Sequence, residues 1–385
     1  MVSSIAVMEN AYAEQFEKLA SSLNDGELQR LREEAFEFFS QNGFPSVRNE
    51  DWKYTNVAPF VKDTWRVKNA ADGGEHLEKD FRELVSNFNF GRNGFAALNL
   101  AFSDIVCIRI PKETSVERPF ELTFAADEGT ARFPHFLVIA EPGSKATIVE
   151  SYTSESKSFT NTAIQITVGD NANITHYRVQ RESAEAFHVG TTEVSLGSGA
   201  RYDATNINLG GALSRHDIDL KFTAEGGEAF VDGLYMLSGE QHADTHSVID
   251  HRVPNCTSHQ NYKGVLNDRS RGVFNGKVFV RENAHGTDAF QSNKNLLLSN
   301  EARVDTKPQL EIFNDDVKCA HGATVGQLEE EELFYLLTRG LPENLARNLL
   351  TYGFAEEIIR KIGISSIKSD LDESVLNRLN VKLEV

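Results

Sequence analysis

Five short segments decide the fold: KATIVESYT (145–153), TAIQITV (162–168), NITHYRV (173–179), TTEVSL (191–196) and HDIDLKFTA (216–224). Apolar, mostly β-branched residues recur at alternate positions in these segments, and turn residues such as Gly169-Asp170 separate them. Alternation with period two is typical of strands, because successive side chains of a strand point to opposite faces. The same texture runs from about residue 98 to about residue 320 with almost no helical periodicity, which predicts an all-β domain.

A small motif recurs inside this domain: a turn, then alanine, any residue and a β-favouring residue. Copies begin at Ala146, Ala172, Ala200 and Ala229 with nearly equal spacing, and a fifth candidate begins at Ala302. Sequence periods of roughly 20 to 50 residues indicate a solenoid or a propeller, and a propeller blade needs roughly 40. A period of about 28 residues therefore favours the coils of a β-helix over a propeller or a sandwich.

Helical periodicity marks both ends of the chain. Apolar residues recur at helical spacing within residues 24–43, and the segment EEEELFYLLTRG (329–340) combines an acidic start with a helical apolar pattern. We therefore expect three parts: a mostly helical N-terminal region (1–95), a β-helix core (96–325) and a C-terminal helical region (326–385).

The charge balance argues against several classes of function. Lysine and arginine total 39 and aspartate and glutamate total 57, a formal net charge of -18. Such a chain is a poor general binder of nucleic acid or of anionic membranes, both of which attract basic residues. No secretory signal or membrane-spanning segment is visible, and three scattered cysteines do not form a disulfide framework. We expect a cytoplasmic protein.

The common motifs of catalysis fail. The run Gly272–Val278 resembles a phosphate-binding loop, but three residues instead of four separate Gly272 from Gly276, and Val278 replaces the hydroxyl residue that would hold Mg²⁺. A Gly-x-Ser-x-Gly nucleophile motif does not occur.

Two pairs combine a thiol with an imidazole, ligands that suit iron or zinc: Cys256-x-x-His259 and Cys319-x-His321. On a strand, Cys319 and His321 point to the same side. Neither pair completes a four-ligand site, so further ligands would come from elsewhere, such as another chain. For Cys256 we favour an inert buried thiol, and for Cys319 the two interpretations have equal weight.

Other histidines are close in sequence. On one strand, His242 and His246 share a face and His251 faces the other way. For these three, together with His259 and His285, a polar solenoid face is favoured over a metal site.

Residues 250–340 resemble the SufB/SufD family of iron–sulfur cluster assembly proteins. The similarity lies in DHRVPNCTSHQNYKG (250–264), NKNLLLS (293–299), TKPQLEI (306–312) and DDVKCAHGATVG (315–326). Within the family the chain is most like SufD, because His321 is followed by glycine and no cysteine precedes Cys107. His285-Gly286 departs from the family pattern, so the resemblance implies no role for that loop.

The resemblance implies a right-handed parallel β-helix with helical flanks, in a non-catalytic scaffold subunit. Its partners would be a SufB-type subunit and a SufC-type ATPase, with a homodimer as an alternative when the chain is alone. It implies no catalytic residue. His321 and Cys319 would lie at the cluster-assembly interface as metal ligands shared with the partner chain. Phe334, Tyr335 and Arg339 would lie in the ATPase-docking region. No cofactor would be held stably by this chain alone, and an iron–sulfur cluster would be transient at the interface.

Two other interpretations stay open. A β-helix enzyme acting on polysaccharide would need an acidic cleft, for which Asp203, Asp217, Asp219 and Asp232 are the candidates. Alternatively, the chain is a scaffold through its interface alone, with Cys319 and His321 inert.

Overall fold

The chain folds into a parallel β-helix with helices at both ends. The structure, a computed structural model, describes residues 2–21, 26–68 and 77–378. The predicted fold class, a parallel β-helix between helical regions, is confirmed.

Two parallel sheets form the walls of the β-helix. Sheet A consists of β1 (Arg66–Val67), β2 (Asp104–Ile110), β4 (Thr130–Arg132), β5 (Pro134–Ala140), β7 (Phe159–Val168), β9 (Phe187–Leu196), β11 (Leu213–Phe222), β13 (His242–His251), β15 (Arg271–Val280) and β17 (Arg303–Ile312). Sheet B consists of β3 (Phe120–Ala126), β6 (Lys145–Ser154), β8 (Asn173–Arg181), β10 (Arg201–Asn208), β12 (Glu228–Leu237), β14 (Thr257–Leu266), β16 (Thr287–Leu297) and β18 (Val317–Gly326). From β5 onward the chain alternates between the two sheets, so each coil contributes one strand to each wall.

The length of a coil matches the predicted period. Arg201 pairs with Glu228, and Thr257 pairs with Asp288, in each case one coil further along the chain. Alternate side chains enter the lumen, where an apolar core of Ile, Val, Leu, Phe and Ala forms between the walls. Because both walls are parallel sheets, each coil is held by its two neighbours.

The alanine motif marks sheet B, but its copies are not in strict register. Asn173 pairs with Arg201, so Ala172 and Ala200, which precede them, share one position. Ala146 pairs with Ile174 and Ala229 with Tyr202, so these two alanines lie two residues further along. All four are buried. The fifth candidate is wrong, because Ala302 precedes a strand of sheet A.

Large side chains in the lumen need small neighbours. A Cβ atom on Gly233 would lie 2.1 Å from Cε1 of Tyr262, a residue that is 2% exposed and stacks one coil further along. Gly233 therefore leaves space for the Tyr262 ring, which alanine could not do without displacing it.

The N-terminal region covers the outer face of sheet A. It contains α1 (Val2–Ala20), α2 (Glu27–Asn42), α3 (Lys79–Ser86) and α4 (Gly94–Ala101), with single 3-10 turns at Glu50–Trp52, Phe60–Lys62 and Phe90–Arg92. An aromatic cluster around Phe60 and Trp65 packs on Phe159 and Phe187 of the sheet. Burial of these rings holds the region to the β-helix.

The C-terminal region contains α5 (Glu330–Thr338), α6 (Glu343–Ile359) and α7 (Ser365–Arg378), of which α6 and α7 cover the outer face of sheet B. Ile358 of α6 and Leu371 of α7 belong to one apolar cluster with Ile207 and Leu234 of the sheet. Lys263, on β14, donates a hydrogen bond of 3.0 Å to the carbonyl oxygen of Phe354 and pairs with Glu357. These contacts fix α6 across the sheet.

A charged cluster lies inside the lumen, on the coils formed by β6 to β9. Glu150 and Glu182 are 1% and 4% exposed, and the Arg178 guanidinium, 3% exposed, is the cation of the cluster. His176 Nε2 lies 2.6 Å from a Glu150 carboxylate oxygen, and His188 Nδ1 lies 2.7 Å from Glu182. Burial alone would raise the pKa of both glutamates, but the histidine contacts overcome it and lower each pKa.

Two buried histidines make the fold sensitive to acid. Burial lowers the pKa of His135 and of His251 to about 4 each, against about 6.5 for an unfolded histidine. The unfolded chain therefore binds more protons, and the free energy of unfolding falls as pH drops from about 6.5 towards about 4. Between about pH 7.5 and about pH 5 we expect each histidine to remove about 2 kcal/mol. Urea unfolding at both values measures this loss.

The matched variant is His251→Asn, which keeps a polar group next to the Ser258 hydroxyl, 2.7 Å from the imidazole. We expect its acid loss to be smaller than that of the parent chain by about 2 kcal/mol. An equal loss in both proteins would contradict the assignment.

Candidate functional site

The last coil of the β-helix, formed by β17 and β18, is where both walls end. Each strand pairs with a neighbour on one side, β17 with β15 and β18 with β16. Large apolar side chains lie exposed there: Ile312 is 41%, Phe313 56% and Val325 49% exposed. We call this coil, residues 303–326, the open end. Strand edges without a pairing partner among the described residues, beside exposed apolar side chains, are typical of a surface that another chain covers.

Cys319 and His321 both lie on β18, at the open end. Cys319 pairs with Ala289 and His321 with Gln291, two inward-facing residues of the coil before. The two residues therefore point to the same side of sheet B, towards the mouth of the lumen. Cys319 is half-buried against the lumen core, and His321 is exposed.

The thiol of Cys319 is held in its protonated form in this chain. Partial burial raises its pKa, and the charge of Asp288 raises it further. Metal binding requires the thiolate, so a proton leaves when this ligand binds a metal.

The ligand set on this chain is small. Among the residues that the structure describes, no group of three or more histidine, cysteine, aspartate or glutamate side chains could hold a metal ion. Cys319 and His321 supply two possible metal ligands of types that bind iron. A tetrahedral metal site uses four ligands.

The second thiol–imidazole pair is not a site. Cys256 is fully buried, with Sγ 3.4 Å from the carbonyl oxygen of Pro254. His259 lies on the outer face of sheet B, between the rings of Phe230 and Phe290. The two side chains are separated by the wall, which agrees with the inert thiol favoured from the sequence.

The other histidines do not converge either. His242 and His246 face outward towards the N-terminal region, where His242 Nε2 is 2.8 Å from the Thr55 hydroxyl and His246 Nε2 is 3.1 Å from Asp244. His251 faces the lumen, as the alternation predicts, and His285 is an exposed residue of a turn.

The four aspartates proposed for a polysaccharide site are divided between the two outer faces. Asp203 and Asp232 on sheet B pair with Arg201 and Lys361, and Asp217 and Asp219 on sheet A pair with Arg215 and Arg92. Each carboxylate is thus neutralised by a cation on its own face. These residues give no support to glycoside chemistry, which needs two carboxyl groups on either side of one bond.

The helix α5 has no buried residue. Phe334 is 67% and Tyr335 56% exposed, and the Arg339 guanidinium lies 5.0 Å from the centre of the Tyr335 ring. Leu337 on α5 and Leu345 and Leu349 on α6 extend the exposed apolar area. We call these five apolar residues and Arg339 the α5–α6 surface.

Some features were not found from the sequence. Ile312 and Phe313 have the sequence pattern of ordinary strand residues, and only their place on the last coil exposes them. The sequence does contain a signal for the buried cluster of Glu150, His176 and Arg178. These residues continue the inward-facing, every-second-residue pattern that begins at Ala146 on β6 and at Ile174 on β8.

Comparison with known proteins bears on this geometry. A family model described as "SUF system FeS cluster assembly, SufBD core domain" matches residues 123–354, and "SufBD protein N-terminal region" matches residues 6–89. No helix among the described residues is long and apolar enough to cross a membrane.

Similar proteins include an iron–sulfur cluster assembly SufBD family protein of Synechocystis sp., 37% identical over 76% of this chain and 69% of the relative. The iron–sulfur cluster assembly protein SufD of Escherichia coli is 35% identical over 66% of this chain and 59% of its own length. SufD of Bacillus subtilis is 30% identical over 70% of this chain and 62% of its own length. Since the core model alone covers more than half of the sequence, this chain belongs to the SufBD family of iron–sulfur cluster assembly proteins and is a SufD-like member of it.

Proposed function

We propose that this chain is a non-catalytic scaffold subunit for iron–sulfur cluster assembly, which pairs with a SufB-type subunit at the open end and binds a SufC-type ATPase on the α5–α6 surface. The observation that carries the proposal is the incomplete donor pair, Cys319 and His321, on the last strand of a β-helix whose end is uncovered. The cluster is the substrate of this assembly and is passed on to other proteins.

Pairing at the open end accounts for three features together. A second chain would cover the exposed Ile312, Phe313 and Val325, satisfy the free edges of β17 and β18, and add the missing ligands. The cluster would then form between two chains, each contributing part of the ligand set. In the absence of a SufB-type subunit, a second copy of this chain is the alternative occupant of the same edge.

The α5–α6 surface is the proposed contact for the ATPase. A helix without buried residues gains little by folding alone, so packing by a partner stabilises it. Aromatic and arginine side chains such as Phe334, Tyr335 and Arg339 are the types that contribute most at protein interfaces. Because α6 is fixed on sheet B through Lys263, movement of a bound ATPase would be transmitted to the rigid β-helix.

The proposal is tested by anaerobic co-expression of the full chain with SufB-type and SufC-type partners, followed by size-exclusion chromatography with light scattering. We expect a stable complex that contains all three. If this chain elutes alone while the other two associate, the proposed scaffold role is wrong, although the chain still has the family fold. The same measurement on the chain by itself gives its mass as monomer or homodimer.

The ATPase contact gives a separate prediction. Replacing the exposed Phe334 with alanine is expected to weaken binding of the SufC-type ATPase by about 10- to 30-fold, the effect of losing an aromatic residue at the centre of an interface. Titration calorimetry or surface plasmon resonance measures the change. Val47→Ala, at a residue 49% exposed in the N-terminal region, is the control and should bind as the parent does. Equal affinities for the two variants would place the ATPase elsewhere.

A further inference from the structure

Gln291 lies in the lumen directly next to His321. The two residues are register partners on β16 and β18, and both belong to the inward-facing row of sheet B. Gln291 is 0% exposed, whereas His321, one coil further out, is at the surface. Gln291 is therefore the first buried polar side chain behind the proposed ligand.

A line of hydrogen bonds holds the Gln291 amide in one orientation. Gln291 donates from Nε2 to Oε1 of Gln260 at 2.6 Å, and Gln260 donates from its own Nε2 to the Ser247 hydroxyl at 2.9 Å. On the opposite wall, a Cβ atom at Gly276 would lie 2.2 Å from Gln291 Nε2, so the amide fills the space that this glycine leaves. The direction of both donors places the Gln291 oxygen at the end of the line.

The oxygen at that end has no donor. Oε1 of Gln291 is buried and accepts no hydrogen bond from any residue in the described part of the chain. A buried amide oxygen without a donor is unfavourable by about 1–3 kcal/mol, so such an atom is usually completed by a neighbour. The line of hydrogen bonds ends at Gln291, near the mouth of the lumen, and only the last coil lies beyond it.

Two residues of the last coil, Thr306 and His321, carry side-chain donors in the inward-facing rows, and register separates them. On sheet A, the residue aligned with Gly276 is Pro308, which has neither a backbone N–H nor a side-chain hydrogen-bond donor. The Thr306 hydroxyl is buried and also has no partner among the described residues, but Thr306 is aligned with Phe274, two positions along the strand from Gly276. On sheet B, the residue aligned with Gln291 is His321, whose imidazole carries an N–H.

We propose that Gln291 is a positioning residue for His321: the exposed imidazole, which makes no hydrogen bond to Gln291 in this structure, turns towards the lumen so that Gln291 Oε1 accepts its N–H, and the other ring nitrogen, with its lone pair, faces the partner chain and the cluster. The inference rests on the proposed function of His321 as a ligand. Histidines that bind metals usually donate their second ring nitrogen to such an acceptor, which fixes the tautomer, and removal of the acceptor typically lowers metal affinity about 10- to 100-fold.

The direct test is the tautomer of His321 in the full chain without metal. Nitrogen-15 NMR of histidine-labelled protein at about pH 8.5, where imidazoles are neutral, distinguishes the two N–H positions. His321→Ala assigns the signal. We expect one dominant tautomer in the parent chain and a mixture in Gln291→Leu, while Gln291→Glu, which retains an oxygen, should keep the parent tautomer.

Asn293→Leu is the matched control. Asn293 is a 0% exposed amide on the same strand, but its register partner in the last coil is Ala323, which has no polar side chain. This variant removes a buried amide of the same coil and should leave the His321 tautomer unchanged. If Gln291→Leu does not fold, Gln291→Met, an unbranched side chain of similar length, replaces it. An identical tautomer ratio in the parent and in the folded Leu or Met variant overturns the inference.

Iron binding separates this inference from the function on which it rests. In the complex with its partners, Gln291→Leu should reduce the affinity for Fe²⁺ by about 10- to 100-fold, and Asn293→Leu should not. Normal cluster assembly in His321→Ala would remove the ligand role, and the tautomer result would still stand by itself. Loss of Fe²⁺ in His321→Ala with full affinity in Gln291→Leu would retain the ligand and overturn the positioning role.

Discussion

Replacing His321 with alanine is expected to abolish iron–sulfur cluster assembly while the complex stays intact. The side chain is exposed on the last strand of the β-helix, so its removal does not disturb the buried core. The ligand set at the open end already contains few donors, and loss of one should reduce cluster content by about 100-fold. Iron and acid-labile sulfide in the anaerobically purified complex measure the effect, with the ultraviolet–visible spectrum as a second reading.

The control for this experiment is His285→Ala. His285 is also exposed and lies in the turn before β16, away from the row that contains His321. Its replacement should leave cluster content at the parent level, and both variants should elute with their partners at the parent mass. If His321→Ala assembles clusters normally, the interface-ligand hypothesis is wrong and the chain is a scaffold through its interface alone.

Replacing Arg178 with methionine is expected to lower the free energy of unfolding by about 3–5 kcal/mol, the usual effect of leaving a buried charge without compensation. Arg178 is 3% exposed and lies inside the lumen, where its charge helps to lower the pKa of Glu150. It donates to Nε2 of His188, which places the His188 proton on Nδ1, towards Glu182. Without the guanidinium, the buried Glu150 carboxylate loses a positive charge that favours its ionised form, and His188 loses the donor that fixes its tautomer.

Equilibrium unfolding in urea measures this loss. Arg201→Met is the control: Arg201 pairs with Asp203 and Glu228 on the outer face of the same sheet, with its side chain 38% exposed. Water screens that pair, so this variant should lose less than about 1 kcal/mol. Similar losses of unfolding free energy for the two variants would show that the positive charge of Arg178 does not stabilise the lumen cluster.

The fold was predictable from the sequence because its signal is local. Strand runs such as TAIQITV alternate with turns, and the spacing of the alanines gives the coil length closely. Register was not predictable in the same way. Ala229 pairs with Tyr202 instead of Ala200, since coil length varies slightly along the chain and the motif tolerates a shift of two positions on one face.

The site was predictable only in part. The spacing of Cys319 and His321 correctly placed both residues on one side of a strand, and the resemblance to a family singled them out. Whether either binds metal stays a prediction, since the described residues hold no group of three or more possible metal ligands. Gln291 gave no local signal. Its importance depends on a register partner one coil later and on Gly276 across the lumen, which only the three-dimensional structure brings together.

The open end also has a consequence for the amount of this protein that can accumulate in a cell. Two free strand edges beside Ile312, Phe313 and Val325 can recruit any other extended chain, so a copy without its partner is a seed for aggregation and a substrate for quality control. If a partner covers the open end as proposed, balanced synthesis of the subunits is expected. Surplus copies should disappear by proteolysis or precipitation, and the supply of partner sets the amount of protein that accumulates.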